Sequence, residues 1–216
     1  RYAISNVHQN YGGSTKFIDI IFNGNVYIWG LQCENGAAPS SYIPTAGETA
    51  TRGADSAYID GDDFTDIYND SEGTFVLQAS TSDLTSSTNQ LAWGVEKSDG
   101  SANFAVTGYR LGGGNSGYVG AWYSAGGATQ AFLNTNGSVT QDVPFKTAFG
   151  YKTNDATSAT NGGPPGGIAS DTSVSIAASG TFDRFILGKY AAYGDMTVGH
   201  VQRVMYYKFK LTDNQL

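Results

Sequence analysis

Residues 199–216 read GHVQRVMYYKFKLTDNQL. Val201, Arg203, Met205, Tyr207 and Phe209 alternate with His200, Gln202, Val204, Tyr206, Lys208 and Lys210, the period-two pattern of an extended strand whose two faces differ. Lysines at the end of a strand are foreign to one buried on both sides, so one face is packed and the other partly wet. The pattern stops at Leu211. Thr212-Asp213-Asn214-Gln215 then has the Thr-x-x-Gln spacing of a capping box, which starts one short helical turn.

Upstream of this strand the same period recurs. Residues 73–80 place Phe75, Leu77 and Ala79 on one face, and residues 145–152 place Phe145, Thr147, Phe149 and Tyr151 on one side. Residues 91–96 and 102–110 are two more strands, joined by a Ser98-Asp99-Gly100 turn. The run Gly112 to Gly117 turns the chain into 118–124, Gly126-Gly127 into 130–135, and Asn136-Gly137 into 138–143. A short segment at 156–160 meets the irregular loop 161–167, and strands at 173–177 and 182–187 lead into the last one. Turn signals every eight to twelve residues predict an all-β, two-sheet antiparallel sandwich. Alternating strands and helices are absent, which excludes an α/β fold.

The N-terminal part reads separately. Residues 2–9 form one strand, and 16–21 and 26–31 form a hairpin around Asn23-Gly24, the preferred two-residue turn. A hairpin alone is marginal in water, so this appendage needs something to pack on. Residues 37–55, with Pro39, Pro44, Gly47 and Gly53 among Ser, Thr and Ala, form an extended linker. The expected division is 1–36, 37–55 and 56–216.

Composition narrows the function classes. Charged residues are 14% of the chain against 29 glycines and 14 tyrosines, which favours strands and tight turns over a helical bundle. A net charge of −7 without any Lys/Arg cluster argues against nucleic acid. No apolar run is long enough to span a bilayer as a helix. Cys33 is the single cysteine, so no disulfide forms within the chain, as suits assembly in a reducing cytoplasm. The chain starts at Arg1 without a visible signal peptide and reads as a trimmed or processed piece.

Catalytic constellations are poorly served. Retaining glycoside chemistry needs two carboxylates about 5 Å apart, yet Glu96, Asp183 and Asp19 each stand alone in their strands. His8 and His200 are far apart in sequence, and no Gly-x-Ser-x-Gly is present. The densest acidic stretch, Asp60-Gly61-Asp62-Asp63 with Asp66 and Asp70, suits calcium in its oxygen ligands but lacks EF-hand spacing. A solvated acidic turn before a strand explains it as well, so a structural calcium ion is a secondary expectation and no other cofactor is expected. Aromatic rings that lie against pyranose faces, with amides that bond hydroxyls, are the better match. Candidate contact residues are Tyr109, Asn115, Tyr118, Trp122, Tyr123, Tyr190 and Tyr193, all beside glycine turns. Trp122 and Tyr123 point to opposite faces, so one of them faces outward or into a groove. Trp93 alternates with Leu91 and Val95 and reads as core. The same aromatic, low-charge surface also suits subunit packing into trimers or lattices.

Two stretches carry a family resemblance. Trp29, Gly30, Gln32, Glu34 and Gly36, then Ser41 to Thr45, then Thr51, Arg52, Ala54 and Asp55 resemble the closing strand and exit linker of carbohydrate-binding jelly rolls found upstream of lectin-like domains in phage proteins. The tail, with Tyr206-Tyr207, Leu211-Thr212 and Gln215-Leu216 after Leu187-Gly188, resembles the end of concanavalin A-like (laminin-G-like) jelly rolls of bacteriophage tail-fibre and virion proteins. The resemblance implies that 1–36 ends a carbohydrate-binding-module-like jelly roll and that 56–216 is a concanavalin A-like domain. It further implies a virion component, a tail fibre, spike or capsid-surface part, that is non-catalytic, oligomeric, in contact with other virion proteins and attached to polysaccharide. The alternatives it leaves are a purely architectural or decoration protein and a bacterial extracellular carbohydrate-binding module.

Overall fold

The computed structural model describes residues 25, 27, 29–32, 42–51, 57–82, 90–110, 118–161, 167–188 and 199–216. The chain divides into two compact units, Arg1–Gly53 and Ala54–Leu216. In the first, the Ile43 N–H donates to Gln32 Oε1 at 2.7 Å and the Trp29 and Tyr42 rings lie 5.0 Å apart. The strands expected at 2–9 and 16–21 and the Asn23-Gly24 turn lie outside the described residues. Of the expected strand at 26–31, Tyr27 and residues 29–31 are not in a strand. Gly30 has φ +68°, which takes the backbone out of the extended region at that point.

The second unit holds eleven strands and one short helix among the described residues: β1 (Ala57–Asp60), α1 (Gly61–Ile67), β2 (Glu72–Thr81), β3 (Gln90–Glu96), β4 (Phe104–Arg110), β5 (Tyr118–Ala125), β6 (Ala128–Ser138), β7 (Phe145–Lys152), β8 (Asp155–Thr160), β9 (Ile168–Asp171), β10 (Arg184–Leu187) and β11 (Gly199–Tyr207). A six-stranded sheet has the order β1-β10-β3-β4-β5-β6 and a five-stranded sheet the order β11-β2-β7-β8-β9. All the pairings are antiparallel. This is the all-β sandwich the alternation predicts.

The core lies between the sheets and is built by the inward positions of each strand. In the five-stranded sheet Tyr206, Phe75, Phe149 and Ser158 stand in one register row. In the six-stranded sheet Phe185, Val95, Ala105, Tyr123 and Ala131 do the same. Phe75, Val95, Ala105, Tyr123 and Phe149 are completely buried. Two hydroxyl pairs join the layers, Thr107 to Thr147 at 3.2 Å and Thr135 to Thr160 at 2.7 Å, so the buried oxygens bond one another instead of losing water uncompensated.

Four local expectations differ. Asn136-Gly137 is not a turn: β6 runs through it to Ser138, and the register slips between Tyr118 and Gly120 so that a bulge absorbs the extra residues. A Cβ at Gly137 would stand 3.2 Å from Thr160 Cβ, so this glycine allows the two sheets to approach closely. Residues 139–143 form no strand; Val143 N–H donates back to the Thr140 carbonyl instead. The strand expected at 173–177 lies earlier, at β9, because Asp171 Oδ1 accepts the Ser173 N–H at 2.7 Å and turns the chain. The acidic stretch after β1 folds as α1, with Phe64 buried against Phe185 and Tyr68.

The C-terminal tail follows its reading. Gln215 Oε1 accepts the Thr212 N–H at 3.0 Å, the backward arm of a capping box. The tail crosses the outer face of the five-stranded sheet: Thr74 Oγ1 donates to the Phe209 carbonyl, and the Lys210 N–H donates to Glu72 Oε2. Lys210 lies over Gly150 and reaches Asp155 and Asp213 at 3.0 and 3.2 Å. That ammonium holds the Asp213 carboxyl below its ordinary value. The tail thus covers the part of this face around Thr74 and Gly150.

Candidate functional site

The outer face of the six-stranded sheet carries one register row through all its strands: Tyr58, Ile186, Gly94, Val106, Trp122 and Phe132. The row is apolar because these are the outward alternates of strands whose other residues fill the core. Phe104, Val106 and Ile186 form a second, smaller buried cluster there, with Trp122 packed against it. The Trp122 ring meets Phe104 edge-on at 4.9 Å and Phe132 edge-on at 5.7 Å, the perpendicular geometry aromatic quadrupoles favour. Its indole Nε1 donates to Thr129 Oγ1 at 3.1 Å. Phe132 remains 36% exposed, so one ring of this cluster faces solvent.

Trp122 therefore points outward and Tyr123 inward. Tyr123 is withdrawn from the contact set. It is fully buried between Ala105 and Ala131, and its hydroxyl accepts the Ala177 N–H at 2.9 Å. Burial pushes its phenol up to about 12. Tyr109 pairs with Val119, and Tyr118 with Arg110 and Ser138, which places both backbones at the far ends of β4 and β5 in the same sheet. Asn115, Tyr190 and Tyr193 lie outside the described residues. Trp93 is core, as expected, stacked on Phe185 at 5.4 Å. Alternation alone could not choose between Trp122 and Tyr123. It does carry Phe132, the outward neighbour of Ala131 and Leu133, which sequence reasoning passed over.

Glu96, Asp183 and Asp70 have engaged carboxylates. Glu96, read as solitary, stands opposite Arg184, whose Nε and Nη2 both donate to Glu96 Oε1, at 2.9 and 2.5 Å. Arg184 also lies over the Tyr58 ring, 5.4 Å from its centroid. Asp183 accepts the Ser98 N–H and hydroxyl and pairs with Lys97 at 3.2 Å. In the acidic stretch the Asp66 carbonyl accepts Lys208, and Asp70 accepts the Ser179 hydroxyl. No three His, Cys, Asp or Glu side chains among the described residues gather as a metal site.

On the opposite side of the sandwich, a hollow of about 330 Å³ is lined by Gln78, Pro144, Phe145, Lys146 and Asn161. It sits beyond the part of the five-stranded sheet that the C-terminal tail crosses, where Gln78 pairs with Lys146. None of its residues was singled out as a contact group from the sequence, since the hollow depends on the register of three strands.

No protein-family model and no curated protein sequence matches the chain. Solved structures do resemble it. The CBM40 of the Ruminococcus gnavus IT-sialidase, bound to alpha2,3 sialyllactose, superposes with a TM-score of 0.53 at 20% identity over 68% of this chain and 82% of that one. The NanB sialidase of Streptococcus pneumoniae gives 0.53 at 15% identity, covering 74% of this chain but only 25% of its own length. The mouse laminin alpha1 chain gives 0.50 at 10% identity over 74% of this chain and 41% of that one. At these identities the likeness is one of fold alone, a two-sheet antiparallel sandwich of the jelly-roll kind.

Proposed function

We propose that the chain is a non-catalytic carbohydrate-binding jelly roll, and that it serves as an attachment part of a bacteriophage virion. The observation that carries the binding role is the outward Trp122–Phe132 pair, flanked on the same face by Phe104 and held in orientation by Thr129. Rings fixed edge to face on a rigid sheet present an apolar platform at little entropic cost, which is what a pyranose face stacks upon. That a CBM40 of the same fold has been seen with sialyllactose supports the reading. Glu96 and Asp183, each already neutralised by a cation, fit adhesion better than hydrolysis. In Trp122→Ala, glycan affinity falls at least tenfold, about 1.4 kcal/mol or more, measured below the variant's own unfolding transition, where it is folded. A glycan array that is blank for the wild type, or unchanged in the variant, contradicts it.

The virion setting rests on the sequence resemblance of both ends of the chain. Oligomeric assembly with other virion proteins is favoured by the exposed Tyr27, Trp29 and Leu31 of the first unit, apolar side chains of the kind subunit contacts bury. Weak sites repeated in an oligomer gain avidity. Antibody against the chain is expected to label intact phage particles at the tail or capsid surface; particles that stay unlabelled contradict this setting. Assembly in the bacterial cytoplasm and a calcium ion at a rim loop belong to the same proposal, and melting that is insensitive to chelator removes the calcium.

A further inference from the structure

The hollow on the five-stranded sheet has a chemistry of its own. Register places Arg203, Gln78 and Lys146 side by side on its outer face. A bulge between Val201 and Arg203 adds Gln202, whose Oε1 accepts Gln78 Nε2 at 2.7 Å and fixes that amide. Asn161, at φ +53°, is held to β7 by two bonds: its N–H donates to the Lys146 carbonyl and its Oδ1 accepts the Lys146 N–H, both at 2.9 Å. Pro144, which is exposed, gives the hollow an apolar wall.

Two cations stand here in a chain of net charge −7. Lys146 and Arg203 are exposed, and neither has an ion-pair partner among the described residues, unlike Lys97, Arg184 and Lys210. A guanidinium and an ammonium on either side of a fixed amide match one carboxylate and its neighbouring hydroxyls. The volume, about 330 Å³, is at the small end of ligand sites and suits one or two sugar rings.

We propose that this hollow is a second saccharide site, separate from the Trp122 face, and that it takes an acidic sugar, its carboxylate between Lys146 and Arg203 and its ring against Pro144. The amides of Gln78 and Asn161 then bond ring hydroxyls.

The test titrates the full chain with oligogalacturonate and with its fully methyl-esterified form, which keeps the rings and removes the charge. The acid is expected to bind at least about tenfold more tightly than the ester, and more weakly as salt is raised. Lys146→Gln and Arg203→Gln are each expected to weaken it by about tenfold or more. Gln78→Glu, which puts a carboxylate between the cations, is expected to abolish it. All three positions are on the sheet surface, and an unchanged unfolding midpoint verifies that each variant is folded. Equal binding of acid and ester, no binding of the acid, or unchanged affinity in the two cation variants overturns the proposal. Binding of the acid that is lost in Trp122→Ala but kept in Lys146→Gln also overturns it, and would leave the Trp122 face standing as the only saccharide site.

Discussion

Replacing Phe75 by alanine is expected to remove about 3–5 kcal/mol of folding stability. Phe75 is completely buried at the centre of the aromatic core. Its ring lies 5.2 Å from Tyr206, 5.7 Å from Tyr151, 6.2 Å from both Trp93 and Phe149, and 6.5 Å from Phe185. Those partners come from β3, β7, β10 and β11, so the cavity left behind would open between both sheets at once. Rigid rings held by neighbouring strands collapse poorly into a void, which puts the loss at the upper end for a core truncation. Phe132→Ala, on the outer face, is expected to cost under about 1 kcal/mol. Urea unfolding with an unchanged slope measures both. Similar losses for the two variants would contradict the assignment of inner and outer faces.

The second large effect is alkaline. Desolvation raises the phenols of Tyr68 and Tyr151 well above the ordinary value, Tyr123 to about 12, and Tyr206 upward as well. Tyr151 donates to the Asn69 carbonyl at 2.9 Å and receives Tyr206 at 2.9 Å, while the Asn69 N–H donates to Tyr206 at 3.1 Å. In the unfolded chain these phenols titrate near pH 10. Between about pH 10 and 12 the folded state therefore keeps protons that the unfolded state has lost. Stability is full below pH 10 and falls as pH rises through this window. Tyr123 alone accounts for roughly 2 kcal/mol of that loss by pH 12, since its pKa is about two units higher in the folded state. Urea midpoints from pH 9 to 12 should fall steeply, with tyrosinate absorbance from the buried rings appearing only on unfolding. In Tyr123→Phe the fall should be shallower. A flat profile to pH 12, or one unchanged in this variant, would contradict the buried tyrosine network.

The tyrosines also mark how far the sequence could be read. The alternation at β7 announced all four of its inward side chains, and the alternation of β11 marked it as a strand before any partner was known, although a bulge between Val201 and Arg203 breaks the period and parts Val201 from the face of Arg203 and Met205. Turn chemistry was more equivocal. Gly126 and Gly127 have φ +63° and +76° and make the hairpin turn between β5 and β6, whereas Asn136-Gly137, the stronger dipeptide signal, was overridden by continued pairing with β5. The helix α1 left no trace, because its N-cap Asp60 makes no side-chain bond and only Phe64 is buried. Composition suggested aromatic contact residues, but a row across six strands is a property of register. Glu96 with Arg184, and Lys146 with Arg203, became neighbours only once the strand order was known.

The claim that matters most is adhesion through the outer face of the six-stranded sheet. The chain has three tryptophans, and their indole N–H signals in a nitrogen-15 spectrum report three separate places. Trp122 donates to Thr129 on the outer face, and Trp93 to the Met205 carbonyl inside the sandwich. Titration with a panel of neutral host-surface polysaccharides should shift the Trp122 signal saturably, leave Trp93 in place and release no reducing ends. A Trp122 signal that stays fixed with every polysaccharide, or product that accumulates with time, would contradict it.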